Sequence, residues 1–84
     1  ADKTFPQEIQ LIVEASDRDN LLNELASAIS SLDISILGAS LSTEADKVAD
    51  RFALKIRSAD AFKALPDRVK DVPGVRTVEI DMTD

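Results

Sequence analysis

From residue 7 to residue 15 apolar and polar positions alternate. Ile9, Leu11, Val13 and Ala15 share one face, and Glu8, Gln10, Ile12 and Glu14 the other. A period of two is that of a half-buried strand, and Pro6 stands just before it, where a missing N–H costs little. Over residues 20 to 32 the period lengthens. Leu22, Leu25, Ala26 and Ile29 recur at helical spacing with Ser and Asn opposite, which predicts a helix, with Asp17 or Asp19 placed to cap it through a side-chain oxygen and Asp33 closing it. The stretch "ISILGASLS", residues 34 to 42, reads as a second strand with Ile34 and Ile36 on one face and Leu37, Ala39 and Leu41 on the other. Gly38 in its middle predicts a bulge or a close backbone approach. "TEADKVAD" reads as a polar hairpin connection. In the third strand after it, Phe52, Leu54 and Ile56 alternate with Arg51, Ala53, Lys55 and Arg57. A second helix, "SADAFKALPDRVKDV", has Ser58 or Asp60 as its cap and Phe62, Leu65, Val69 and Val72 on its buried side. Pro66 lies inside it, where a lost hydrogen bond and a clash cost about 3 kcal/mol. That predicts a kink, or a new helix starting near Pro66. "VPGV" turns the chain into a last strand, "VRTVEIDM", with Val78, Ile80 and Met82 inward.

The order β-α-β-β-α-β fits two interleaved right-handed crossovers. The expected fold class is therefore α+β: a ferredoxin-like sandwich with a four-stranded antiparallel sheet and both helices on one face. The first and third strands are central, the second and fourth are edges. Residues 1–6 are expected to form a tail, and residues 7–82 a single domain.

Composition narrows the chemistry. The 84 residues contain neither cysteine nor histidine, which removes disulfides, thiolate metal sites and the commonest general base. No Gly-rich phosphate loop is present. Asp17 and Asp19 lie two apart in a turn, where capping explains them, and the other carboxylates are scattered on outward faces. Catalysis is not expected, nor is a cofactor or a metal site. The net charge of −6 argues against a nucleic-acid-binding surface. RNA-binding modules of this topology stack bases on aromatic residues, whereas the outward positions of the third strand are Arg51, Ala53, Lys55 and Arg57. No apolar stretch approaches the ~20 residues of a membrane span, and no signal-peptide pattern opens the chain. The first residue is Ala1 rather than methionine, as expected of a processed chain or a piece of a longer one.

The stretch "EIQLIVEASDRDNLLNELASAISSLDISILGASLSTE" resembles the first half of an ACT domain, and within that family the C-terminal ACT module of the bifunctional (p)ppGpp synthetase/hydrolase (GTP pyrophosphokinase) enzymes. The family pattern Asp-Arg-x-Gly-Leu-Leu corresponds to Asp17, Arg18, Asp19, Asn20, Leu21 and Leu22. "DISILGAS" and "VPGVRTVEI" resemble its second and closing strands, so the likeness spans roughly residues 8 to 80. Asn20 replaces the family glycine. Asparagine tolerates the left-handed backbone region better than most residues. The resemblance implies a cytoplasmic regulatory domain, non-catalytic, that pairs with another ACT domain. It also implies an amino acid bound near the first turn, sensed for a larger enzyme of the stringent response.

Two candidate sites follow. At the turn of residues 17–22, helix N–H groups and their partial positive charge suit a ligand carboxylate, and Asp17 suits its ammonium group. Capping alone explains the same aspartates. The second strand is the other candidate. It is an edge, apolar on both faces, and exposed apolar edges invite pairing with another chain. Ile36, Leu37, Gly38, Ala39 and Leu41 would form the seam of a homodimer. The alternative for the whole chain is an engineered or purely structural ferredoxin-like scaffold that binds nothing.

Overall fold

The computed structural model describes residues 5–16, 19–45 and 47–82. Six elements follow one another: β1 (Gln7–Ser16), α1 (Leu21–Ser30), β2 (Ser35–Glu44), β3 (Lys47–Ile56), α2 (Ala59–Lys70) and β4 (Val75–Met82). The strands form one antiparallel sheet in the order β2-β3-β1-β4. The interleaved order arises because each helix carries the chain across one strand position, so β1 and β3 end side by side in the middle. This is the ferredoxin-like βαββαβ architecture.

The core follows from the alternation. Ile9, Leu11, Val13 and Ala15 of β1 are buried, as are Val48, Phe52, Leu54 and Ile56 of β3. Leu25 and Ile29 of α1 and Leu65 and Val69 of α2 close over them with no exposed surface. Full burial of such side chains stabilises by about 1.5–3 kcal/mol each, which is what a short domain depends on. Ser58 caps α2, its hydroxyl accepting from the Ala61 N–H at 3.2 Å. Phe62 is half-buried, its ring tilted against Phe5 at a centroid distance of 6.3 Å.

The structure departs from the sequence reading at five places. The inward residues of α1 are Leu21, Leu25, Ala28 and Ile29, while Leu22 is 45 % exposed. The helix starts with Leu21 already turned inward, so the apolar stripe is rotated by one position. The N-cap is Asn20, without a side-chain cap bond, rather than Asp17 or Asp19. Asp19 lies one residue outside it, and Asp17 lies outside the described residues. Pro66 does not split α2, which runs through it. Leu65 and Val69, fully buried on either side, pin the helix to the sheet where the backbone bond is lost. The β2–β3 connection is shorter than read, because β3 starts at Lys47 and the burial of Val48 draws that segment into the sheet.

The fifth departure concerns β2. Ile36 pairs with Leu54 and Gly38 with Ala53, so Leu37 is an extra residue. This is the bulge that Gly38 predicted, and it reverses the side-chain phase. Ala39 pairs with Phe52 and Leu41 with Asp50, which puts them on the helix side together with Ile36, not on the opposite face. A Cβ on Gly38 would meet nothing within 4 Å, so no close backbone approach explains this glycine.

Candidate functional site

The turn from β1 into α1 hinges on Asn20. Its φ of 64° and ψ of 10° place it in the left-handed region, which costs most L-residues about 1–2 kcal/mol and asparagine less. The Asn20 carbonyl accepts from the Glu24 N–H at 3.0 Å. This begins the helical ladder and leaves the N–H groups of Leu21, Leu22 and Asn23 without intrahelical partners. These groups face the end of the helix where the dipole is positive.

A groove of about 350 Å³ opens beside this turn. Asn20, Leu21, Leu22 and Asn23 line it from α1, Leu41 from β2, and Val48 and Asp50 from β3. Two leucines flank it, Leu22 at 45 % and Leu41 at 57 % exposure. Asp50 also lines it; it exposes no surface, and its two carboxylate oxygens have no hydrogen-bond partner among the described residues. Its strand neighbours in register are Val13 on β1 and Leu41 on β2. Burial in these apolar surroundings pushes the Asp50 carboxyl up from its ordinary value.

Another groove, of about 500 Å³, lies between the helices. It is lined by Asn20, Asn23, Glu24, Ser27 and Ala28 of the α1 side and by Arg68, Asp71, Val72 and Pro73. Arg68 there donates to the Ser31 hydroxyl at 3.1 Å. The buried, unsatisfied carboxylate distinguishes the first groove from this one.

The edge strand that the sequence singled out is β2. From Leu37 to the end of the strand every residue is exposed, Leu37 at 52 %. Beyond the bulge the outward positions of β2 are Gly38, Ser40 and Ser42. The basic stripe of β3 is tied into its own sheet, with Arg51 donating to Gln10 Oε1 at 3.2 Å and Arg57 to the Ser35 hydroxyl at 2.8 Å. Among the described residues no cluster of three or more Asp or Glu side chains is placed to hold a metal. No helix among them is long and apolar enough to cross a membrane.

The family model for the ACT domain matches residues 3–79. The chain belongs to the ACT domain family. Solved structures agree on the fold. The ACT domain from GTP pyrophosphokinase of Chlorobium tepidum superposes with a TM-score of 0.75 at 22 % identity, covering 88 % of this chain and 96 % of that one. The C-terminal domain of the MgtC protein from Mycobacterium tuberculosis gives 0.76 at 17 % identity, with 99 % and 94 % coverage. A putative glycine cleavage system transcriptional repressor gives 0.75 at 12 % identity, covering 96 % of this chain and 48 % of that one. No curated protein matches the chain.

ACT domains are regulatory rather than catalytic modules, and in this one the family turn falls at the groove. Of its six residues, Asn20, Leu21 and Leu22 line the groove, Asp19 is exposed beside it, and Asp17 and Arg18 lie outside the described residues. Of the edge residues, Leu41 reaches the groove, Ile36 is half-buried, and Leu37, Gly38 and Ala39 are exposed along β2. The ACT domain thus brings the two sequence-derived sites together at Leu41. Sequence reasoning missed Asp50. The signal was there: Val48 and Asp50 extend the alternation of Phe52, Leu54 and Ile56 back by two steps, and a carboxylate in phase with a core face is out of place.

Proposed function

We propose that this ACT domain is a non-catalytic regulatory module that pairs with a second ACT domain through β2 and senses a small molecule such as an amino acid in the groove beside Asn20. The larger protein it serves is, on this reading, a (p)ppGpp-metabolising enzyme, a proposal supported by its likeness to the GTP pyrophosphokinase domain. The observation that carries the reading is the composition of the groove, which joins the first turn of α1 to Leu41 on the exposed edge strand. The first-turn N–H groups of α1, which lack intrahelical acceptors, suit a carboxylate, and Leu22 and Leu41 offer an apolar wall. Because Leu41 belongs to both the groove and the edge, a ligand held there also favours pairing.

A titration of the chain with branched-chain and other amino acids, followed by amide chemical shifts, tests the sensing half. Shifts at residues 19–23 and 41 are expected with at least one of them. A flat response to every amino acid would leave a structural scaffold without a ligand.

A further inference from the structure

Asp50 sets a chemical requirement on whatever fills the groove. It is fully buried and both its oxygens are unsatisfied. Buried carboxylates are almost always paired or hydrogen-bonded, so this one is half of an interaction. Among the described residues that line the groove, no other is charged. Val13, Leu41 and Val48 surround it within the sheet, and Leu21 and Leu22 lie above it. We propose that Asp50 anchors a primary ammonium group, and that the ligand class of the groove is a small aliphatic amine for which a carboxylate is secondary.

Three observations fit that class. A primary ammonium has three donors and no acceptor. Asp50 supplies two free acceptor oxygens, and the amides of Asn20 and Asn23 at the rim carry further acceptors. The walls are aliphatic, and a volume of about 350 Å³ lies in the range of small-molecule sites. A divalent metal is a poorer match. Such ions take six or more oxygens in most sites, and no cluster of three or more Asp or Glu side chains among the described residues supplies them.

Access runs past Leu22 and Leu41. Both are about half exposed, and on this proposal a rotamer change in either one opens the way to the carboxylate. The ammonium then enters first and the aliphatic body follows, replacing the leucine–water contacts. An α-amino acid satisfies the same requirement and adds its carboxylate at the N-terminus of α1.

The inference rests on the ligand-sensing reading only for the location of the groove. It is tested on the whole chain with three probes of one shape: L-leucine, 3-methylbutylamine, which lacks the carboxylate, and 4-methylpentanoate, which lacks the amine. Amide shifts and calorimetry report binding. The amine and leucine are expected to bind and to move residues 48–52 as well as 20–23, with the acid weaker by about tenfold or more. Asp50→Asn is expected to weaken leucine and the amine by about tenfold while retaining a native spectrum. The inference is overturned if the acid binds as well as the amine, if Asp50→Asn binds as tightly as the parent, or if no probe binds. Leucine binding that leaves residues 48–52 unmoved and survives Asp50→Asn sinks the inference but leaves the sensing reading standing. Binding of the amine without leucine upholds the inference and overturns an amino acid as the sensed molecule.

Discussion

At the residue scale, two positions trade stability for the groove. Asn20 is held left-handed at a φ of 64°. Asn20→Ala should lower stability by about 1 kcal/mol, since alanine meets the full left-handed penalty, whereas Asn20→Gly should stay within about 0.5 kcal/mol as glycine takes that region freely. Urea denaturation of the three chains measures both. The second position is Asp50. Its carboxyl is raised by burial, so folding favours its protonated form relative to the unfolded chain. That preference contributes stability below the unfolded pKa of about 3.9, which is lost as pH rises through the higher folded value. The described residues around it in β1, β2 and α1 are Val13, Leu41, Leu21, Leu22, Asn20 and Asn23, and none of these titrates to offset this. Asp50→Asn should therefore be more stable than the parent at pH 7, by about 1 kcal/mol or more. The gap should close as pH falls toward 4. Melting curves across that range check it, and a gap independent of pH contradicts it. A destabilising group at a candidate site is the expected pattern for a residue kept for binding.

At the element scale, what the sequence made legible and what it hid have different physical causes. The strand β1 was readable because its four inward residues are consecutive members of one period. The Ser58 cap of α2 and the strand order followed from turn residues and chirality. Three features were hidden. One extra residue at Leu37 inverts the faces of β2, and no local propensity shows which residue of a bulge is extra. The stripe of α1 slipped from Leu22 to Leu21 because a left-handed Asn20 sets where the helix begins. Asp50 escaped because polar letters before Arg51 look like a connection, although tertiary burial makes them strand. Pro66 is the opposite case, a local rule overridden by packing. Pro66→Ala should restore an N–H to the ladder of α2 and raise stability by about 1–3 kcal/mol, measured by thermal or urea unfolding. A loss of stability would mean that the proline ring packs better than the bond it forgoes.

At the scale of the whole molecule, the edge strand β2 and the groove beside Asn20 meet at Leu41. The strand β2 lies at one edge of the sheet, and Leu37, the extra residue of its bulge, is exposed there. Leu37→Lys should leave the folded monomer within about 0.5 kcal/mol of the parent, since Leu37 is 52 % exposed, yet oppose pairing by placing a charge on the seam. On the function proposed above, sensing and pairing share Leu41, and a ligand that favours pairing is by reciprocity bound more tightly by the pair. Sedimentation velocity from micromolar to millimolar concentration, with and without saturating L-leucine and with Leu37→Lys beside the parent, tests that link most directly. A monomer–dimer equilibrium that leucine shifts toward the dimer and Leu37→Lys shifts toward the monomer is the predicted result. A strictly monomeric species at millimolar concentration, with or without leucine, would contradict it.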